Sequence, residues 1–194
     1  MKLLITGFDP FGGEAINPAW EAVKALPDRI GEWEVTRLQI PTVFSLAAAE
    51  VLRTAQALMP DAIICVGQAG GRNAITPERI AVNIRDAKIP DNRGNRPAGD
   101  FVDPEGPAAY FSTVDVKAMV RSIEAEGIPA AVSNSAGAFV CNDVLYTLLH
   151  FYRDQNVRVG FIHVPYLPQQ AKEGVPSLEL DTIIRGLTAA IGAL

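Results

Sequence analysis

Two cysteines and two histidines are all that this 194-residue chain has of either type, and only 7% of it is aromatic. Two cysteines, Cys65 and Cys141, do not make a disulfide framework at this size, so a reducing, cytoplasmic setting is expected. Basic residues are outnumbered: 17 Lys and Arg against 22 Asp and Glu give a net charge of -5. With no long basic run, the sequence offers no footprint for nucleic acid or for an anionic membrane surface. No apolar run approaches the length of a membrane span. The opening Met1-Lys2-Leu3-Leu4-Ile5-Thr6-Gly7 is too short an apolar stretch for a secretory leader. Internal repeats and a linker that would split the chain are also lacking. Neither Gly-rich loop matches a dinucleotide or P-loop pattern, which argues against a nucleotide site.

The chain is rich in apolar residues (48%), enough for one domain over residues 1–194 with a sizeable core. Short apolar strands alternate with helical patterns. Leu3 to Thr6, Trp33 to Ile40, Ala62 to Val66, Ile128 to Val132 and Val157 to Val164 read as strands. Helices are expected after Asn17-Pro18 (a cap followed by proline at the first helical position), from Phe44 to Leu58, from Val114 to Glu126, after Cys141, and from Leu178 to Leu194. This alternation predicts a three-layer α/β/α sandwich with a largely parallel, mixed central sheet. The segment from Gly67 to Gly106 is rich in Gly, Pro, Asn and Asp, with room for one short strand at Ile80 to Ile84. Irregular segments of that length inside a compact domain tend to be functional loops.

In open α/β sheets, sites gather at the carboxyl ends of strands. Gly7-Phe8-Asp9-Pro10-Phe11-Gly12-Gly13 follows the first strand, and Gly67-Gln68-Ala69-Gly70-Gly71-Arg72 follows the strand ending in Cys65-Val66, with Glu78 soon after. Cys141 lies in the first turn of a helix that opens after small residues, where free amides and the dipole favour a thiolate. His163 closes a further strand. A thiol, an imidazole and a carboxylate thus arrive at one sheet edge, as a nucleophile, its base and an orienting acid would. His150, in the last turn of the Cys141 helix, has a structural reading as a dipole partner, which puts His163 ahead as the base. Cys65 sits in an apolar strand and reads as core. Glu78 competes with Asp9, Asp61, Asp86 and Asp91 for the acid's role.

These residues lie in motifs that resemble the pyroglutamyl peptidase type I family nearly end to end. The resemblance runs through Gly7 to Gly13, Asn17-Pro18, Val66 to Arg72, Pro77 to Asn83 and Ile89 to Asn92. It continues in Ala136-Gly137, Phe139 to Asn142 and Gly160 to Tyr166. It implies the architecture shared with nucleoside phosphorylases, Cys141 as nucleophile, His163 as base and Glu78 as third catalytic residue. The implied reaction removes an N-terminal pyroglutamyl residue from peptides through a thioester, with no metal or cofactor, in a cytosolic and commonly tetrameric protein. Substrate contacts are expected at Phe8, Phe11, Gln68 and Val140, and the resemblance favours Phe11 against the ring with backbone groups near Gln68 bonding the lactam.

The chain departs from the family pattern at Ser135, Ala138 and Asp143, and Lys88 stands where some members place an Arg near the oxyanion. Lysine keeps the charge and loses the fork geometry. Pyroglutamate is a small neutral lactam, so its pocket needs apolar walls and a few placed donors and acceptors. Phe8 and Phe11 suit the walls, with core packing the alternative reading for both and the stronger one for Phe8. Two other functions fit the fold: a glycosyl transferase of the nucleoside phosphorylase type, and a catalytically dead peptide binder.

Overall fold

The computed structural model describes residues 1–194. In chain order its elements are β1 (Lys2–Phe8), α1 (Pro18–Lys24), β2 (Arg29–Ile30), β3 (Trp33–Ile40), α2 (Leu46–Leu58), β4 (Ala62–Gln68), β5 (Thr76–Pro77), β6 (Ile80–Val82), β7 (Arg85–Asp86), β8 (Ala98–Asp100), β9 (Ala109–Phe111), α3 (Val116–Ala125), α4 (Val140–Tyr152), β10 (Arg158–Val164) and α5 (Leu180–Gly192). The main sheet has the order β2-β3-β1-β4-β10-β5. The four long strands run parallel, while the two-residue strands β2 and β5 pair antiparallel at the edges. This is the mixed, largely parallel sheet expected from the alternation of strands and helices.

Near-continuous apolar runs such as Leu3-Leu4-Ile5 and Ala62 to Val66 belong to strands covered on both faces. Alternate side chains feed two separate cores. Leu3, Ile5, Ile64 and Val164 pack with α1, α3 and α5. Leu4, Ile63, Cys65, Val159 and Phe161 pack with α2 and α4 on the opposite face. Each large aliphatic side chain so buried stabilises the fold by roughly 1.5–3 kcal/mol before entropy is counted. Local chemistry sets the helix ends. The Asn17 side chain accepts a hydrogen bond from the Ala19 amide, Pro18 opens α1, and Asp115 caps α3 through the amides of Lys117 and Ala118. Met59 closes α2 in the left-handed conformation just before Pro60.

Two expectations from sequence need correction. Ile128 to Val132 forms no regular strand. It lies beside β5 through isolated parallel bridges, Ile75 to Ala130 and Glu78 to Ser133. Hydrogen bonds link Ile75 to Pro129 and Ala131, and Ser133 to Pro77 and Arg79, but Pro77 has no amide to donate between them, which interrupts the ladder. The long middle segment holds more structure than one short strand: β6 pairs with β9, and β7 pairs with β8. Polar side chains order this region. Asn83 bonds the backbone of Asp103 and Gly106, and Asp91 accepts hydrogen bonds from the amides of Phe44, Arg93 and Asn95.

Candidate active site

Cys65, Gly67, Phe161 and His163 stand at alternate positions of β4 and β10, where side chains face the layer of α2 and α4. His163 is the register partner of Gly67, and neighbouring strands run about 4.8 Å apart. The Cys141 sulfur descends from α4 onto the same spot. A Cβ added at Gly67 would stand 3.0 Å from Cys141 Sγ and 2.8 Å from the Phe161 ring. Glycine is therefore required at position 67 so that the thiol can reach the sheet beside His163.

Cys141 is the second residue of α4, and Gly137, at φ 80°, turns the chain into the helix. Phe139 precedes the first turn and offers no side-chain cap. The amides of Val140, Cys141 and Asn142 make no hydrogen bond within the protein, which leaves three donors at the positive end of a four-turn helix.

Glu78 is fully buried and His163 is 3% exposed, and His163 Nδ1 lies 2.7 Å from Glu78 Oε1. The second oxygen, Oε2, is buried without a hydrogen-bond partner. The rival carboxylates are engaged elsewhere. Asp9 accepts from the Thr42 amide and from Asn92, Asp61 from the Lys2 amide, and Asp91 from its own loop, while Asp86 is exposed. The geometry thus singles out Glu78. His150 belongs to a different cluster, with Nδ1 2.8 Å from the Tyr110 hydroxyl and Nε2 3.4 Å from Asp103 Oδ2.

Burial sets the protonation states of the site. Burial raises the Glu78 pKa, but the hydrogen bond and charge of His163, helped by Ser133 and Arg72, outweigh it and hold the group below the usual 4.5. Burial lowers His163 below 6.5, against the pull of Glu78. Burial pushes the Cys141 thiol up to about 12, with the negative charge of Glu78 acting the same way and Arg72 opposing. Desolvation thus works against the thiolate that the helix terminus favours. Cys65, fully buried in β4, is likewise pushed up to about 12 and stays inert.

The remaining predicted residues occupy distinct positions. Phe11 is half-buried with its ring 6.0 Å from that of Phe139, which in turn meets Phe44 edge-on. Phe8 is 2% exposed and packs on Phe161 in the core beneath. Val140 is fully buried. Gln68 ends β4 and its side chain accepts a hydrogen bond from Gln170. Lys88 is exposed and outside every ion pair; it follows β7, where the Asp86 amide bonds Ala138 O at the entry to α4. No group of three or more His, Cys, Asp or Glu side chains could hold a metal ion, and no helix is long and apolar enough to cross a membrane. The largest cavity, about 350 Å³, lies away from Cys141 and is lined by Ser45, Leu52, Arg85, Tyr146 and His150, among others.

Two residues were overlooked from sequence. Arg72 reaches Glu78 Oε1 at 2.8 Å. Asn142, fully buried next to the cysteine, holds β6 through its side chain. Only the Gly-rich context of Arg72 and the odd placement of an amide in an apolar helix face could have flagged them.

A half-buried cysteine at the start of α4, a buried imidazole on β10 and a buried carboxylate just after β5 are the residue types on which a cysteine-type hydrolase draws. The family model for pyroglutamyl peptidase matches residues 1–194. The pyrrolidone-carboxylate peptidase of Bacillus cereus (strain Q1) is 52% identical over 194 residues, covering 97% of this chain and 90% of that protein. The one from Levilactobacillus brevis is also 52% identical and covers 100% and 97%. The crystal structure of Bacillus amyloliquefaciens pyroglutamyl peptidase I superposes with a TM-score of 0.96 at 48% identity, covering 99% and 95% of the two chains. A mutant pyrrolidone carboxyl peptidase from Pyrococcus furiosus gives 0.93 at 41% identity, covering 98% and 96%. The chain belongs to the pyroglutamyl peptidase family, whose members are cysteine-type peptidases.

Proposed function

We propose that residues 1–194 act as one catalytic domain that removes N-terminal pyroglutamate (5-oxoproline) from peptides through a thioester on Cys141. The observation that carries this reading is the buried His163–Glu78 contact of 2.7 Å beside the seat of the Cys141 sulfur at Gly67. With Nδ1–H donated to the carboxylate, His163 keeps a lone pair on Nε2 for the thiol. As Sγ attacks the pyroglutamyl carbonyl, its proton passes to Nε2, so no standing thiolate is needed. The oxyanion that forms meets the free amides at the start of α4. The imidazolium, stabilised by Glu78, then protonates the leaving amine. Water attacks the thioester with His163 as base, and pyroglutamate leaves while the thiol regains its proton. Every proton is returned, and side chains and backbone carry each step.

In this reading the lactam ring lies against Phe11, with Phe8 supporting the floor from the core. Backbone groups at Gln68 and Val140 bond the ring's polar edge, and Lys88 contributes positive charge near the reacting carbonyl. A cytoplasmic homotetramer completes the proposal, on family resemblance. The test is turnover of a pyroglutamyl amide quenched in acid and read by intact mass. One pyroglutamyl group carried on Cys141 is the expected result. Turnover with no such adduct, retained in Cys141→Ala, would refute the thioester route.

A further inference from the structure

Glu78 Oε1 has two donors. One is His163; the other is Arg72, in the loop after β4, which has no place in the steps above. Its Nη1 donates to Glu78 Oε1 at 2.8 Å and to Thr76 Oγ1, and its Nη2 donates to Ser135 O at 3.2 Å. Thr76 is the β5 residue paired with His163, and Ser135 lies in the turn that leads into α4. One guanidinium therefore touches the carboxylate, the strand beside the imidazole and the approach to the nucleophile. Its side chain is 30% exposed, while the carboxylate it meets is fully buried.

We propose that Arg72 is a positioning residue of this peptidase: it aims the Glu78 carboxylate at His163 and ties it to the loop that carries Cys141. The inference rests on the Cys141–His163–Glu78 reading and extends it by one residue. A planar fork with a fixed set of donors can satisfy three acceptors in one plane, which an ammonium cannot. Both donors converge on Oε1, so turning the carboxylate out of this orientation breaks the bonds to His163 and Arg72 together. Loss of Arg72 leaves a buried carboxylate with a neutral imidazole as its main partner, and burial then favours the protonated acid.

The titratable and charged groups facing this pair are Arg72 from the loop after β4, Cys141 from α4 and, beyond Cys141, Cys65 on β4. Arg72 favours ionised Glu78 and disfavours protonated His163. Its removal raises both pKa values. Activity needs Glu78 ionised and His163 neutral, so both changes move the acid limb of the pH–rate profile upward.

The experiment measures kcat and KM for a pyroglutamyl amide against pH in Arg72→Gln, Arg72→Lys, Glu78→Gln and the Arg72→Gln/Glu78→Gln double variant, with Tm recorded for each. Arg72→Gln is expected to lose kcat on the order of 100-fold at near-parent KM. Its acid limb should move up by about one pH unit. Arg72→Lys should keep the acid limb near that of the parent while losing part of kcat, and it serves as the test if Arg72→Gln does not fold. The double variant should be no slower than Glu78→Gln, since residues acting through one another are not additive. Parent-like kcat and acid limb in the Arg72 variants, with Glu78→Gln impaired, would overturn the role of Arg72 and leave the triad intact. So would a double variant showing the full product of both losses. Parent activity in Glu78→Gln would sink the triad reading, and the role of Arg72 with it.

Discussion

Asn142 and Val82 exchange two hydrogen bonds, from Val82 N to Asn142 Oδ1 at 2.9 Å and from Asn142 Nδ2 to Val82 O at 2.8 Å. The side-chain amide thus stands in for a strand neighbour of β6. A third bond, Nδ2 to Ile84 O at 3.0 Å, extends the grip. The residue following the proposed nucleophile therefore anchors the irregular middle of the chain to the first turn of α4. Next along the helix, Asp143 is fully buried and binds Arg85 Nε at 2.6 Å and the Ser45 amide at 2.7 Å.

Asn142→Ala should destabilise the protein by about 1–3 kcal/mol, because it leaves Val82 N without a partner and removes the bonds to Val82 O and Ile84 O. The change should also raise KM, since the start of α4 loses its lateral support. Thermal unfolding and steady-state kinetics on one preparation check both. An unchanged Tm would mean that water or a rearranged β6 replaces the amide.

Cys141→Ala should abolish turnover while leaving Tm near that of the parent, since nothing else supplies the acyl acceptor. Cys65→Ser should keep most of kcat. It places a hydroxyl in the fully buried β4 and should cost about 1–3 kcal/mol. A dead but folded Cys65→Ser beside an active Cys141→Ala would reverse the assignment.

His163→Ala should lower kcat/KM by several orders of magnitude, on the order of 10⁴-fold, because the thiol, held up at about 12, loses its base. His150→Ala should stay close to the parent in kcat. It breaks the contact with Tyr110 at 2.8 Å, so its effect belongs in Tm. Comparable losses of kcat in the two variants would place the base elsewhere.

Stability should fall on the acid side in two stages. His163 is held below its ordinary 6.5, so under that pH the unfolded chain binds a proton that the folded one refuses, and stability declines down through the folded pKa. Glu78 is also depressed, so its contribution is present above 4.5 and is lost as pH falls through its folded pKa. Tm measured from pH 8 to pH 4 should show the first decline in the parent and a weaker one in His163→Gln. Identical slopes would contradict a neutral buried imidazole.

A pocket that bonds both the lactam N–H and its ring carbonyl should discriminate against a prolyl amide by about 10⁴-fold in kcat/KM. Proline lacks that carbonyl and brings a charged amine toward the apolar walls at Phe11. A glutaminyl amide should fare no better. A prolyl amide within about tenfold of the pyroglutamyl one would favour a pocket that selects by shape alone.

Much of this was legible one residue at a time. Asn17-Pro18 announces α1, the apolar run around Cys65 announces β4, and the small residues before Cys141 announce the turn into α4. These signals are local, and local physics decides them. Spacing alone does not choose Glu78 over Asp9 or Asp91; only the family resemblance does so from sequence. In physical terms the choice depends on which carboxylate the pairing of β5 with β10 brings to His163. The Arg72–Glu78 contact and the fit of Cys141 against Gly67 likewise join segments whose proximity only the tertiary structure creates. The depth of Cys141 belongs with these: a helix terminus is visible in sequence, whereas the burial that opposes its pull on the thiol is not.

The two-residue strands at the borders of the main sheet have a bearing on self-association. Long, flat, unpaired strands invite another chain to extend the sheet, and here all four long strands have neighbours on both sides for at least part of their length. At one border, β5 offers only Thr76 and Pro77, and Pro77 has no amide to donate, while the segment around Ala130 and Ser133 covers its flank. At the other, the stretch of β3 beyond β2 carries Arg37, whose guanidinium is tied to Leu26 O, and the exposed Gln39. A parallel sheet built from distant segments assembles slowly and leaves its strands open to intermolecular pairing while it does so. Once closed, the sheet leaves only the stretch of β3 beyond β2 as an edge on which a second chain could template.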